Sequence, residues 1–305
     1  MIFLLQNYLF FPRFMIKYII AIYLPEFRMT YLKAVELLRE ASIENAETDA
    51  AIIFEHFSDI PAYALPFRKN EEVLSPALEE ALKRRAAREP LQYILGFWEF
   101  CGLRFDLNGD CLCPRPDTEL LVELAAKLLP PRAHFCDVGT GSGAIAVSLL
   151  SFRPDTTATA FDINENALRA AEGNAKRNGV SDRIHFELSD ALSDSFLDGK
   201  SFDAVISNPP YIPASVIPSL EPEVLLEPHR ALDGGEDGLD FYRAITKKAK
   251  DALSDGGFVL YEVGIGQAED VAAIGTEYGF TAEIFPDLSG ISRAVLLRQI
   301  NSKGI

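Results

Sequence analysis

Apolar positions change their spacing once along this chain, near Pro90. From Tyr31 to that point they recur at helical intervals. Leu32, Val35, Leu37 and Leu38 mark a first helix, and Ala50, Ile53, Phe54 and Phe57 fall at i, i+3, i+4 and i+7 in a second. Ala77 to Arg88 reads as a third. Strand-like alternation is scarce here, so a small helical domain is expected. Tyr93 to Leu107 is aromatic and rich in β-formers, with breaks at Gly96 and Gly102, which predicts a hairpin.

Beyond Pro130-Pro131, short apolar runs alternate with amphipathic stretches. The runs Phe135–Val138, Thr157–Asp162, Arg183–Leu188, Phe202–Ser207, Phe258–Val263, Ala282–Phe285 and Arg293–Leu297 predict strands. Ala144–Leu150, Glu165–Asn178, Asp240–Leu253 and Gln267–Tyr278 predict helices. Such alternation argues for a mostly parallel sheet covered on both faces. Just upstream, two prolines hold Cys113-Pro114-Arg115-Pro116 extended, and Asp117 or Thr118 can cap a helix running to about Leu128.

Composition narrows the class. Across 305 residues, 48% are apolar and 24% charged, a globular profile with room for a sizeable core. Lys and Arg are outnumbered 29 to 45 by Asp and Glu, for a net charge of −16. A protein that grips duplex nucleic acid must neutralise phosphates with a basic face, so this balance favours a protein or small-molecule substrate and no direct nucleic acid. Cys101, Cys111, Cys113 and Cys136 form no Cys-x-x-Cys pair and the histidines are scattered. Neither a metal cluster nor a disulfide framework is supported, and reduced thiols in a cytoplasmic protein are expected.

Residues 1–28 are apolar, but Arg13 and Lys17 interrupt them, and neither run approaches the roughly 20 residues of a membrane-spanning helix. The order of a signal peptide is not present either. The segment is expected to be an extension outside the fold, with no stable membrane association; a peripheral anchor is the alternative. The acidic balance stands without it.

The candidate chemistry sits at predicted strand ends. Asp137-Val138-Gly139-Thr140-Gly141-Ser142-Gly143-Ala144 joins the first strand to a helix, where glycines permit a tight turn and close approach of a ligand. That pattern also suits a nicotinamide-dependent dehydrogenase, or a turn with no ligand at all. Asp162 ends the second strand, placed to accept both hydroxyls of a ribose, and Asp190 with Ala191 follows the third, placed for a base edge. Singly, each acid reads as a cap or a solvated charge. Three signals at successive strand ends point to a nucleoside ligand without saying which.

Asn208-Pro209-Pro210-Tyr211 ends the fourth strand. Alone it would read as a surface turn. Two prolines cannot continue a central strand, and they leave carbonyl oxygens free at the ligand edge of the sheet. Methyl transfer from a sulfonium needs a nitrogen lone pair aimed at the methyl carbon, but an amide or exocyclic amine delocalises its lone pair. The Asn208 side-chain oxygen and the Pro209 carbonyl could accept its two hydrogens, favouring a more tetrahedral nitrogen, while Tyr211 stacks on the planar group. A dehydrogenase has no use for this tetrapeptide.

These strings together resemble the HemK/PrmC family of glutamine-N5 methyltransferases that act on peptide chain release factors. The resemblance spans about residues 30–299. It rests on Asp137–Gly143, Asn208–Tyr211 and Pro114–Glu119, on Glu227-Pro228 and Ala231–Leu239, and on Tyr242-Arg243, Glu262-Val263-Gly264, Gln267, Asp287–Gly290 and Arg293. It implies an α/β fold, a class I S-adenosylmethionine-dependent methyltransferase with a Rossmann-like seven-stranded sheet and a small helical N-terminal domain. It implies boundaries at 29–91 for a helical substrate-recognition domain, 92–114 for a hairpin linker and 115–305 for the methyltransferase domain. Gly139, Thr140, Gly141, Ser142, Gly143, Asp162, Asp190, Ala191 and Asn208 would bind S-adenosylmethionine; the family often has an aromatic residue where Ala191 stands. Asn208, Pro209, Pro210 and Tyr211 would hold the glutamine of the Gly-Gly-Gln loop of class 1 release factors, modulating translation termination. A ribosomal-protein glutamine methyltransferase, an adenine-N6 DNA methyltransferase and a non-catalytic binding module are the alternatives. The DNA enzyme would normally add a target-recognition domain and a basic groove.

Overall fold

Helical spacing before Pro90 and strand–helix alternation after Pro130 become two compact units in a computed structural model, which describes residues 28–300; they divide between Leu95 and Gly96. The expectation for residues 1–28 therefore falls outside the described residues, except for Arg28. Among the described residues, no helix is long and apolar enough to cross a membrane.

In the first unit, helices span Tyr31–Glu40, Ala46–Phe57 and Pro76–Ala86. Thr30 caps the first, accepting from the Lys33 amide at 3.2 Å, and Ser75 caps the third, accepting from Leu78. Ala34, Val35 and Leu38 form the buried face of the first helix, whereas Leu32 is exposed and stands outside the expected stripe. Asp49 and Arg85 cross-link the second and third helices through a buried ion pair at 2.7 Å. Two short helices, Leu65–Arg68 and Leu91–Leu95, carry no clear spacing in the sequence. The second takes up the start of the expected hairpin. Pro90 opens it by accepting from the Tyr93 and Ile94 amides, and Gly96, at φ 76°, follows it.

In the second unit a hairpin comes first, β1 (Phe97–Phe100) and β2 (Leu103–Asp106). A seven-stranded sheet follows: β3 (His134–Val138), β4 (Thr157–Asp162), β5 (Ile184–Leu188), β6 (Phe202–Ser207), β7 (Leu253–Glu262), β8 (Phe280–Pro286) and β9 (Ser292–Gln299). Its order is β5-β4-β3-β6-β7-β9-β8. All pairs are parallel except those that β9 makes with β7 and β8. Helices Ala144–Phe152, Glu165–Arg177, Asp240–Ala252 and Ala268–Glu277 fall where the sequence predicts them. The register sets Val138 beside Phe161 on one side and beside Ser207 on the other. Strand order reverses at β3, the place where open α/β sheets bind ligands beyond their carboxyl ends. Below it, Cys136, Phe161, Phe202, Tyr242, Val259 and Tyr261 belong to one buried cluster. Burial of this kind stabilises by about 25 cal/mol per Å² of apolar surface, so the strand ends rest on a stiff base.

Candidate functional site

The loop after β3 is built from beneath by Asp137, which is wholly buried. Its Oδ2 accepts from the Thr140 hydroxyl at 2.7 Å and the Ala146 amide at 3.2 Å, while Oδ1 has no donor. Burial pushes its carboxyl up to about 7, against the pull of those two bonds. Gly139, Gly141 and Gly143 all have positive φ, which the tight turn demands. The Gly139 and Thr140 amides donate to the Phe161 carbonyl at 2.9 Å, and Gly141 donates to Asp162 Oδ2 at 2.9 Å. Asn174, fully buried, fastens the loop from the side. Its amide donates to the Ser142 carbonyl at 2.9 Å and to the Asp106 carbonyl at 3.0 Å, and its oxygen accepts from the Asp106 amide.

Above this loop opens a cavity of about 230 Å³ whose lining lies wholly within the second unit. Of the candidates, Gly139, Gly141, Asp162, Asp190, Ala191, Asn208, Pro209 and Pro210 line it; Thr140, Ser142, Gly143 and Tyr211 do not. Thr140 is turned onto Asp137, and a side chain at Gly143 would stand 3.1 Å from Ala171, so that glycine lets two helices approach.

Asp162 accepts from Asn164 through Oδ1 at 2.8 Å as well as from Gly141. Burial raises its carboxyl above the usual range, while those amides and Arg230 pull it back. Asp190 is exposed, and its carboxylate accepts from the Leu192 amide at 2.9 Å in a local turn. Two apolar side chains that sequence reasoning did not single out, Ile163 and Leu192, are exposed at this cavity. Each is the neighbour of a named candidate, a signal too local to weigh without the fold. Asp110 and Arg230 also reach the lining from segments that read as plain loop. Cys111 lines it too, its thiol pushed up to about 12 by burial first and then by Asp162 and Asp110, so it stays a thiol.

At the end of β6, the Ser207 hydroxyl donates to the Val138 carbonyl at 2.7 Å. Asn208 Nδ2 donates to Thr118 Oγ1 at 3.2 Å, which leaves Oδ1 as the acceptor that residue can offer. Neither Asp117 nor Thr118 caps a helix as expected. Pro116–Thr118 is a single 3-10 turn running into the helix Glu119–Leu128 with no side-chain cap, because Thr118 is turned towards Asn208.

Three glycines enclose the tetrapeptide. A Cβ on Gly234 would stand 2.8 Å from the Pro210 carbonyl oxygen. One on Gly238 would stand 2.3 Å from the Tyr211 oxygen, and one on Gly264 would stand 3.0 Å from the Tyr211 ring. Gln267 closes the frame: Nε2 donates to the Tyr211 carbonyl at 2.9 Å and Oε1 accepts from the Gly264 amide at 3.1 Å. Ile212 and Gly234 exchange backbone bonds with the facing segment, the Ile212 amide donating to Leu232 and the Gly234 amide to Ile212. Tyr211 is half-buried, and its phenol is pushed up to about 12 by burial, with Glu262 adding to the shift. Glu227 holds the proline-rich segment nearby, accepting from the Cys113 amide at 3.0 Å and pairing with Arg115. Arg293 joins Asp117 at 3.1 Å to Asp287 at 3.2 Å. The scattered strings noted in the sequence thus include the frame of one short loop.

Residues 116–235 match the family model of the methyltransferase small domain, and residues 31–96 that of the PrmC N-terminal domain. A release factor glutamine methyltransferase of Geobacter sulfurreducens is 42% identical over 269 residues, covering 85% of this chain and 91% of its own. One from Bradyrhizobium diazoefficiens is 40% identical over 274 residues, covering 86% and 91%. A solved structure, the release factor-specific protein-(glutamine-N5) methyltransferase of Alicyclobacillus acidocaldarius, is 33% identical with a TM-score of 0.40, covering 64% of this chain and 99% of that one.

Proposed function

The chain belongs to the release factor glutamine methyltransferase family, and from that premise we propose that it transfers a methyl group from S-adenosylmethionine to the side-chain amide nitrogen of the glutamine in the Gly-Gly-Gln loop of class 1 release factors. The observation that carries this reading is the Asn208 carboxamide, whose nitrogen is engaged by Thr118 and whose oxygen is left to the cavity rim beside Pro209.

The cavity suits the cofactor. The Cβ positions of Gly139 and Gly141 meet nothing within 4 Å, so their backbone is bare to a ligand. Asp162 keeps lone pairs beyond the two amides it accepts from, fitting a ribose diol. Ile163, Ala191 and Leu192 offer apolar surface to a base, with Asp190 at its edge. Asp110, Asp162 and Asp190 outnumber Arg230 in the lining, which favours a ligand bearing a positive centre. When bound, S-adenosylmethionine supplies an electrophilic methyl group. Thr140, Ser142 and Gly143 serve the same site by shaping the loop.

Asn208 Oδ1 and the Pro209 carbonyl accept the two hydrogens of the glutamine amide. Their pull localises the lone pair and stabilises positive charge growing on nitrogen. The Tyr211 phenol, held neutral, offers its ring to the planar amide and no base. Surplus proton leaves to water after transfer. The purified protein, given labelled S-adenosylmethionine, should label the release factor and leave duplex DNA unlabelled. Asn208→Ala should abolish that label yet keep cofactor affinity within about threefold, since it removes an interaction made at the reacting nitrogen. Label in DNA alone, or an active Asn208→Ala variant, would overturn the reading.

A further inference from the structure

Glu262 is the last residue of β7 and lies beside Asn208 across the β6–β7 pair, where Ser207 faces Tyr261. It is 3% exposed, and its Oε2 meets no donor at bonding geometry. A buried carboxyl without a full set of donors costs free energy. It does not line the cavity; the side chains of Thr118, Asn208, Asp117 and Arg293 surround its carboxyl.

A carboxamide can present either its oxygen or its NH₂ to the cavity, and the two arrangements have nearly the same shape. Only the oxygen can accept a substrate hydrogen. Thr118 cannot choose between them by itself, because a hydroxyl both donates and accepts. A carboxylate only accepts. Placed behind Thr118, it draws the hydroxyl proton to itself, leaves Oγ1 as an acceptor for Asn208 Nδ2, and so turns Oδ1 towards the cavity.

We propose that Glu262, acting through Thr118, is a positioning residue that fixes which way the Asn208 carboxamide faces. This rests on the proposed methylation of a planar nitrogen at Asn208. Burial raises the Glu262 carboxyl to about 7, with Asp117 adding to the shift and Thr118, Arg293 and Asn208 opposing it. The phenols of Tyr211 and Tyr242 complete the titratable groups about it, and Tyr242 donates to its backbone carbonyl at 2.9 Å. Below that pH the protonated carboxyl can donate to Thr118, whose own proton is then free to turn towards Asn208 and reverse the amide. Turnover should therefore rise with pH through about 7.

The test is steady-state transfer from S-adenosylmethionine to a class 1 release factor. Glu262→Gln keeps the shape and adds a donor. It should lower kcat roughly 100-fold, the scale of a misoriented catalytic group, leave both KM values within about threefold, and lose the rise through pH 7. Thr118→Val should do the same, and Thr118→Ser should keep most activity. If Glu262→Gln does not fold, the two Thr118 variants decide alone. Normal kcat and an unchanged pH profile in Glu262→Gln, or a fully active Thr118→Val, would overturn the proposal while the methylation reading stood. Failure of the wild-type protein to label the release factor would sink that reading instead. The orientation is then read directly by NMR: the Asn208 side-chain amide protons should shift through pH 7 in the wild type and not in Glu262→Gln. A pH-independent wild-type signal would refute it.

Discussion

At the scale of single residues, the site is organised by polar side chains that face inward. Asp162 holds the glycine loop and the turn at Asn164 with one oxygen each. Asp162→Ala should therefore weaken S-adenosylmethionine binding by about 10–100-fold, the worth of one or two hydrogen bonds to a charged group. Calorimetric titration would show it, and an unchanged Kd would remove Asp162 from the cofactor site. Asp162 was legible because it ends a strand in step with the glycines. Thr118 was not. Its local context reads as a helix cap, and the partner that redirects it lies just past β6, 90 residues further on. Asn174 is illegible for a similar reason: on its own helix it is one more polar position, and only the fold shows its amide bonded on both ends.

Among elements, the strands were readable because short apolar runs between turns have few other fates. The hairpin starts later than its sequence suggests, since Tyr93 and Ile94 look β-prone while Pro90 sets a helical turn ahead of them. The segment Ala231–Leu239 reads as loop from composition alone. Its work comes from backbone pairing with residues 212–214 and from glycines pressed against the tetrapeptide. Gly238 has φ 79° and no room for a methyl group beside the Tyr211 oxygen and Gln267. Gly238→Ala should cost about 1–3 kcal/mol of local strain, relieved by moving the tetrapeptide. Methyl transfer should fall much further than cofactor affinity, and an alanine variant with wild-type turnover would show that this loop tolerates displacement.

Over the whole molecule, the sequence's acidic balance hides two opposed groups of carboxyls. Asp155, Asp237 and Asp287, at the surface, are held below the usual range by arginine partners or amides and stabilise the fold until acid protonates them. Asp137 is raised by burial to about 7. Its folded form binds a proton more tightly than the unfolded chain, where an aspartate titrates near about 4. Its contribution is thus present in acid and is lost as pH rises towards 7. Asp137→Asn should gain thermal stability relative to the wild type as pH rises from about 4 to about 7, the interval between the unfolded and folded titrations; parallel melting curves would refute the burial argument. The same enclosure that fixes the tetrapeptide also governs how it can be inherited. A base change that replaces a glycine with another residue adds a side chain, and at Gly234 and Gly238 the backbone of the tetrapeptide leaves no space to receive one. This loop can be lost in one mutational step but not adjusted by one, so a lineage acquiring a new acceptor must change the surroundings and leave the grip untouched.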